Sequence, residues 1–600
     1  MPQGLIKKCR KLLEEKNIDY FVVPTADFHN SEFVGDYFKL RQFISGFTGS
    51  AGVLLIAKEE ALLWTDGRYF LQAEKELQGT GIRLMKSGNP GVPEIDDYLA
   101  EKMPEGGVLA FDGRTVTAFQ AARWKEKLAG KNVTFRTAID LADSVWKDRP
   151  QLPRGKMYLL PEEYSGKSYK EKMEGLLSEM KRNKVTVFVE SSLDNIAWLL
   201  NIRGSDIRSN PVFLSYLVIT EKDTILYVDG GKLGPGLTNY LNASHIVCKE
   251  YFDIYEDVYR ISGERVWVDV KNLNSELYGA LKQQNTLCEK RNPLAAAKAC
   301  KNETEIEGLR RAHLFDGIAV TRFIYQLKRD IGTVPMTELS VTENLLRLRK
   351  KEESFIETSF DTIAAYKENA AMLHYSAGKR SNAELKAEGM LLVDSGGQYL
   401  FGTTDVTRTI VLGEVTQEEK ICYTLTLKGM LRLANQCFPE GCCGLNLDIL
   451  ARSALWNQGI DYRCGTGHGV GHLLSVHEGP QSIRWKQSQD RGELEKLKPG
   501  MVLTDEPGVY ADGKFGIRIE NQLVVKPAFQ NEYGRFLKFE QLTCVPIDLG
   551  AVDETLLSSE EKNWLKEYNN TVYERIAPHL CEEEREWLKK ETAYDASDKD

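Results

Sequence analysis

The stretch LLVDSGGQYLFGTTDVTRTIVLG, residues 391–413, decides the fold of the C-terminal half of this 600-residue chain. Its two ends are rich in apolar and β-branched residues, a composition that favours strands, and the connection between them contains glycines. Asp394 closes the first run and Asp405 precedes the second. The stretch therefore predicts two strands, each with an acidic residue at its end.

Similar runs surround this stretch. MVLTDEPGVY (501–510) and IRIENQLVV (517–525) also read as strands, and helical runs lie between the strand-like segments. Upstream, residues 301–330 carry apolar residues at helical spacing behind Asn302, a candidate N-cap, and predict a long helix. We expect residues 301–600 to form one mixed α/β domain with a substantial antiparallel component and a helical tail.

The N-terminal half contains two segments that look like copies of one unit, 12–70 and 176–232. Each reads as an amphipathic helix, a short apolar strand, a glycine-containing turn, and two strands joined by a charged hairpin. The sequence DRPQLPRGK (148–156), with two prolines and mixed charge, reads as a linker. We therefore predict two related α/β domains, 1–150 and 155–300, and an α/β (α+β) fold for the whole chain.

Bulk composition narrows the class of protein. A chain of this length exceeds a single core of ~250–300 residues, so three or more domains are expected. A net charge of −9 argues against nucleic-acid and anionic-membrane partners, and no run approaches the ~20 apolar residues of a membrane span. The first sixteen residues alternate charge with apolar positions, which predicts an amphipathic helix and not a signal peptide. Eleven cysteines without a CxxC pair favour a cytosolic chain with reduced thiols.

The C-terminal half gathers residues that bind hard metal ions. Besides the two aspartates, Glu506 (TDEPGVY) and Glu520 (IRIENQ) stand at strand ends, and His468 lies in GTGHGVG. Singly, each carboxylate reads as a turn or cap residue. Jointly, four carboxylates and one histidine suit divalent manganese, cobalt or zinc, and not a thiolate-based structural zinc. Four acids can also bridge two metals, and their burial without a cation would be very costly.

These motifs resemble those of a known family. The strings SGFTGSAG, WTDGRYFLQAE, LLVDSGGQY, GTTDVTRT, GTGHGVGHLLSVHEGP, DEPGVY and GIRIEN are similar to those of aminopeptidase P, the X-Pro aminopeptidase among the pita-bread metallopeptidases. The resemblance covers essentially the whole chain and is to the long, three-domain cytosolic form. It implies two creatinase-like domains followed by a pita-bread catalytic domain.

The resemblance also implies roles for individual residues. His374 in MLHYSA and His477 in SVHEGP match catalytic histidines that contact the substrate, Glu506 matches the residue that exchanges the proton of the attacking water, and Arg68 in WTDGR matches a substrate-binding arginine. The implied metal ligands are Asp394, Asp405, His468, Glu506 and Glu520.

The chemistry implied is hydrolysis of the bond before a penultimate proline. Two divalent ions, manganese first and zinc or cobalt as alternatives, would share a water whose pKa falls toward ~7, and one ion would hold the free α-amine. Peptides with proline at position two are the expected substrates. The resemblance further implies a cytoplasmic homodimer.

Three further residues lie near the motifs. Cys464 stands where many members of the family have a second histidine, which puts one contact around the centre in doubt. His472 follows His468 by four residues, but the intervening glycines argue against a shared helix face, so a structural role is favoured. Arg408 in DVTRT is expected to pair with a ligand carboxylate, the alternative being a surface arginine.

Other functions remain open at this stage. A prolidase-type dipeptidase would share the fold and the ligand set, and would be distinguished by its failure to cleave a tripeptide. A non-catalytic pita-bread module that binds peptides would have lost the ligands, all five of which are present. A dinucleotide-binding protein is disfavoured, because the chain lacks a GxGxxG fingerprint and a P-loop lysine.

Overall fold

Two six-stranded sheets of the same strand order occupy the N-terminal half. The computed structural model describes residues 2–378, 381–487 and 492–593. The first sheet, in the order β4-β3-β2-β1-β5-β6, consists of β1 (Tyr20–Pro24), β2 (Val53–Ala57), β3 (Ala61–Thr65), β4 (Arg83–Lys86), β5 (Val108–Ala110) and β6 (Thr134–Arg136). The helices of this region are α1 (Pro2–Glu15), α2 (Leu40–Ser45), α3 (Phe70–Glu76), α4 (Ile95–Lys102), α5 (Ala118–Lys127) and α6 (Leu141–Val145).

The second sheet repeats this topology in the order β12-β11-β10-β8-β13-β14. The strands of the region are β7 (Tyr158–Leu159), β8 (Val187–Glu190), β9 (Ile202–Arg203), β10 (Ser215–Thr220), β11 (Thr224–Val228), β12 (Ile246–Lys249), β13 (Arg265–Val268) and β14 (Thr286–Glu289). Its helices are α8 (Tyr169–Arg182), α9 (Leu193–Leu200), α10 (Pro235–Ala243), α11 (Ile254–Asp257) and α12 (Ser275–Gln284). Strands β7 and β9 form a separate two-stranded sheet.

The repeat predicted from the sequence is confirmed, and the two copies share the turn of the hairpin as well as the strand order. In each copy an antiparallel hairpin, β2–β3 or β10–β11, has a parallel strand on one side and an antiparallel strand on the other. The N–H of Ala57 donates to the carbonyl of Glu60 at 2.9 Å, and the N–H of Thr220 donates to that of Asp223 at 2.8 Å. Both hairpins lie where the charged turns predicted them.

The chain packs into two compact units, residues 1–160 with 167–294, and residues 161–166 with 295–600. The second unit contains the predicted antiparallel component. Its strands are β15 (Phe355–Thr358), β16 (Ile363–Tyr366), β17 (Met390–Ser395), β18 (Gly397–Tyr399), β19 (Gly402–Thr403), β20 (Val406–Val411), β21 (Phe438–Pro439), β22 (Gly467–Gly469), β23 (Glu478–Ile483), β24 (Val502–Asp505), β25 (Gly508–Ala511), β26 (Phe515–Arg518), β27 (Asn521–Asn531) and β28 (Gly534–Gln541). Two of its sheets matter for the site: β16-β17-β20, and the six-stranded β21-β28-β27-β24-β22-β23.

Helices cover these sheets. They are α7 (Glu162–Ser165), α13 (Pro293–Ala299, which straddles the two units), α14 (Glu303–Asp330), α15 (Glu338–Arg349), α16 (Gln417–Ala434), α17 (Gly444–Trp456), α18 (Ser559–Ile576) and α19 (Glu582–Thr592). The predicted cap is confirmed, since Asn302 accepts the N–H of Glu305 and the Glu305 side chain accepts the N–H of Asn302. Within the described residues, none of the helices has both the length and the apolar character needed to cross a membrane.

Candidate active site

Two antiparallel strands carry the two aspartates to one place. Asp394 pairs with Thr407 in the β17–β20 ladder, and Asp405 directly precedes β20. Asp405 is only 4% exposed. Gly396 allows the connection to close, because a Cβ there would lie 1.9 Å from the carbonyl oxygen of Thr404. Gly396 thus lets the two main chains approach closely enough to bring the two aspartates together.

The histidine comes from the other sheet. His468 is the central residue of β22, where Gly467 and Gly469 allow main chains to approach closely: a Cβ on either would lie within 2.2 Å of a neighbouring carbonyl oxygen. The His468 Nδ1 is 3.0 Å from the carbonyl of Gly469, so Nδ1 carries the proton and donates. Nε2 faces Asp405 at 3.5 Å and Glu506 at 3.4 Å.

The two glutamates complete the cluster. Glu506 follows β24, and its N–H donates to the carbonyl of Thr466 at 2.8 Å. Glu520 follows β26 and is 1% exposed; its Oε2 accepts from the Thr407 hydroxyl at 2.7 Å. Ligand atoms of Asp405, His468 and Glu520 all lie within 4.8 Å of one another. Four carboxylates and one imidazole therefore converge where β17, β20, β22, β24 and β26 end or begin.

Burial and mutual repulsion dominate the electrostatics of the cluster. Burial, followed by the repulsion of neighbouring acids, raises the pKa of Asp405 and of Glu520 well above the ordinary range. Burial also raises the pKa of Glu506, against the opposing charge of Arg518. Asp394 Oδ1 is buried and has no hydrogen-bond donor among the described residues. Arg518 and His477 supply positive charge to the cluster, but the pKa values of Asp405, Glu506 and Glu520 remain raised against them.

The residues fit divalent ions. The donor set is oxygen-rich with one imidazole, as hard and borderline divalent metals require. The neutral Nδ1–H tautomer leaves Nε2 as the donor atom, and the Gly469 carbonyl fixes the ring in the manner common to metal-bound histidines. A cation among these oxygens would also remove the mutual repulsion that raises their pKa values.

Two arginines differ from expectation. Arg408 is 2% exposed and does not pair with a ligand carboxylate; among the described residues it donates to carbonyls including that of Glu520, and to Asn521 and Tyr568. Both sequence-based readings of Arg408 were wrong, because main-chain carbonyls satisfy it. Arg518 binds Asp394 instead, and also donates to Tyr510. The sequence feature that could have identified Arg518 is its position in the motif GIRIEN, two residues before Glu520.

The predicted catalytic histidines have different surroundings. The ring of His477 stands edge-on to that of His468, with centroids 4.3 Å apart and planes at 88°. His374 is half-buried in the turn after a 3₁₀ segment, Lys367–Ala371, which packs against β26. The next residue, Tyr375, donates to Glu338 at 2.7 Å and so ties this turn to α15. His477 lies against the cluster, whereas the turn that carries His374 is anchored to α15 through Tyr375.

The remaining predicted residue lies in the first unit. Arg68 occupies the turn between β3 and α3 and makes a two-pronged ion pair with Asp66, at 2.8 Å for both Nε and Nη2. Its side chain is 24% exposed. In the second copy, the N–H of Gly231 donates to Asp229 at 2.9 Å, as the N–H of Arg68 donates to Asp66 at 3.1 Å. The turn is the same in both copies, and the arginine is not needed to form it.

The fold and the cluster together define a metal-dependent hydrolase with the pita-bread architecture. Models of known families match the chain along its length: "Creatinase/Prolidase N-terminal domain" at residues 6–145 and again at 148–305, "Metallopeptidase family M24" at 307–527, and "C-terminal region of peptidase_M24" at 535–594. The chain belongs to metallopeptidase family M24.

The chain is similar to individual relatives over nearly their full length. The chain is 39% identical to the "Probable Xaa-Pro aminopeptidase P" of Paracoccidioides brasiliensis and 37% identical to Aminopeptidase P1 of Arabidopsis thaliana, with 98% of each chain covered in both cases. Among solved structures, it superposes with a TM-score of 0.94 on an X-prolyl aminopeptidase from Caenorhabditis elegans. That protein is 33% identical, 99% of this chain and 100% of that one are covered, and it is described as a cytosolic enzyme with a di-nuclear active site.

Proposed function

We propose that this protein removes the N-terminal residue from peptides whose second residue is proline, by metal-dependent hydrolysis. The observation that carries the proposal is the buried cluster of four carboxylates facing one lone-pair imidazole nitrogen, in a chain that matches Xaa-Pro aminopeptidases over its full length. Asp394, Asp405, His468, Glu506 and Glu520 would hold two divalent ions, and manganese is our first choice. When bound, such ions lower the pKa of water and polarise a carbonyl.

The chain's own residues would then guide substrate and protons. Glu506 receives the proton of the attacking water and passes it to the proline nitrogen of the leaving group. His374 and His477 donate hydrogen bonds to the substrate carbonyl as negative charge develops on its oxygen, worth roughly 3–4 kcal/mol each. The bond before proline carries no N–H, so the site needs no acceptor at that position. Arg68 binds the peptide through its guanidinium, which suits carbonyl or carboxylate oxygens.

Three further features are proposed with this function. The chain divides into domains 1–150, 155–300 and 301–600, it works in the cytoplasm, and it forms a homodimer. The description of the Caenorhabditis elegans enzyme as cytosolic supports the location. The dimer rests on resemblance to the long form of the family, and a monomer mass in solution at micromolar concentration would contradict it.

Purified protein tests the function directly. We expect cleavage of X-Pro-Y tripeptides that a chelator abolishes and added manganese restores. Cleavage limited to X-Pro dipeptides would identify a prolidase-type dipeptidase instead. Binding of such peptides without turnover, in fully metal-loaded protein, would favour a peptide-binding module.

A further inference from the structure

A buried ion triad lies directly beside the His477 backbone. The Glu478 carboxylate accepts from Lys298 Nζ at 2.6 Å and from Lys301 Nζ at its other oxygen. All three side chains are at most 3% exposed. Two ammonium groups on one carboxylate, held away from water, are costly unless their geometry is well fixed. The triad is therefore a rigid point in the fold.

Glu478 stands at the junction of the two histidine-bearing segments. It is the first residue of β23 and pairs with Gly469 of β22, immediately after His468. The ladder is irregular here, and a Cβ on Gly469 would lie 2.2 Å from the Glu478 carbonyl oxygen. The main chains carrying His468 and His477 are thus locked together one residue beyond each imidazole.

The lysines connect this junction to a third strand. The N–H of Lys301 donates to the carbonyl of Gly500 at 2.9 Å, and Gly500, at φ +87°, packs its Cα against the Lys301 main chain. Two residues later β24 begins, and that strand leads to Glu506. The triad thus lies where the main chains leading to His468, His477 and Glu506 meet.

We propose that Glu478, held by Lys298 and Lys301, is the positioning residue of His477. The triad fixes the peptide on the C-terminal side of His477, so that its imidazole stays edge-on to His468 and aims at the substrate. This inference rests on the role given to His477 in the proposed function. Glu478 itself touches no reacting atom and acts only through its neighbour.

Lys301→Met is the first test, because it leaves a one-to-one Lys298–Glu478 pair. We expect the metal content of wild type and a KM within about two-fold of it, but a kcat lowered ~10-fold or more. Lys301→Arg, which keeps charge and donors, should retain most of the activity. Glu478→Asp keeps the charge but shortens the side chain, and serves as the second variant if Lys301→Met does not fold.

A double-mutant cycle separates positioning from general stability. If the triad acts through His477, then Lys301→Met should slow the His477→Ala enzyme no further. Lys232→Met is the matched control, since Lys232 is also a buried lysine, paired with Asp206 in the first unit. It should lower Tm, leave kcat unchanged and combine additively with His477→Ala.

Each outcome decides the inference. A kcat unchanged by Lys301→Met, or losses that multiply with those of His477→Ala, would overturn the positioning role alone. Wild-type turnover in His477→Ala would overturn the proposed role of His477 and this inference with it.

Discussion

The second unit buries carboxylates in two contrasting ways. Glu478 faces two lysines, and Asp316 accepts from Arg349 at 2.7 Å and from the Tyr399 hydroxyl at 2.7 Å. The four acids of the active-site cluster share one arginine, Arg518, and lie beside the imidazoles of His468 and His477. Each acid of the first kind has at least one cation of the chain bound to it, whereas the acids of the cluster outnumber the cations that bind them among the described residues. The two kinds of site therefore differ in how many cations the described residues bring to each acid.

The contrast has an energetic meaning. Breaking a buried ion pair leaves an uncompensated charge and costs about 3–5 kcal/mol. Removing one acid from a crowded cluster relieves repulsion, because the raised pKa values of Asp405 and Glu520 show that their charged forms are disfavoured without metal. Stability and activity should thus respond in opposite directions at the two kinds of site.

Asp405→Asn should give the largest effect on activity. We expect no measurable X-Pro-Y cleavage, together with a metal-free melting temperature equal to or above that of metal-free wild type. Arg349→Met should instead lower the free energy of unfolding by about 3–5 kcal/mol. Kinetics and calorimetry on the same preparations test both. If Asp405→Asn destabilises the metal-free protein as Arg349→Met does, the cluster is a structural network and the contrast fails.

His374→Ala and His477→Ala should cause the next largest loss of activity. Each should retain both metal ions but lose ~10² or more in kcat/KM, because each removes one hydrogen bond that strengthens in the transition state. Elemental analysis alongside steady-state kinetics measures the two properties. Loss of metal in either variant would show that its histidine supports the ligands and does not serve the substrate.

Added metal should raise the free energy of unfolding, per site, by less than Arg349→Met lowers it. At a free manganese concentration ~100 times Kd, mass action predicts a gain of about 2.7 kcal/mol per site. Thermal unfolding with increasing metal should show this gain in wild type and a much smaller one in Asp405→Asn. Equal gains in both proteins would place the stabilising ion outside the cluster.

The grouping of the acids was predicted from their joint occurrence with His468 and from the family resemblance. Sequence patterns predicted the repeat and the hairpins, because strand ends and glycine turns are local features. They did not predict which cations would serve which acids. Arg518 reaches Asp394 across 124 positions, and Lys301 reaches Glu478 across 177. Such partners are set by tertiary packing, which local composition does not encode. The same limit explains Arg408, most of whose acceptors are main-chain carbonyls that leave no trace in side-chain identity, and whose side-chain partners Asn521 and Tyr568 are distant in sequence.

The first unit offers an internal control for the smallest effect, on Arg68. It contains two Asp-Gly-Arg turns in which the arginine makes the same two-pronged pair with the aspartate two residues earlier: Arg68 with Asp66, and Arg114 with Asp112 at 2.8 and 2.9 Å. Arg114 also binds Asp140 at 2.8 Å and lies over the Phe28 ring. Arg114 is thus tied into the fold on several sides.

Arg68→Ala should therefore fold normally, keep its metals and lose ten-fold or more in kcat/KM, or about 1.4 kcal/mol of transition-state stabilisation. Arg114→Ala should show the reverse pattern, because Asp112 and Asp140, both mostly buried, lose their shared cation: a lower Tm with kcat/KM close to wild type. The second copy of the turn, with Gly231 in place of arginine, already shows that the backbone tolerates the loss. Wild-type kinetics in folded, metal-loaded Arg68→Ala would make the Asp66 pair a surface ion pair and nothing more.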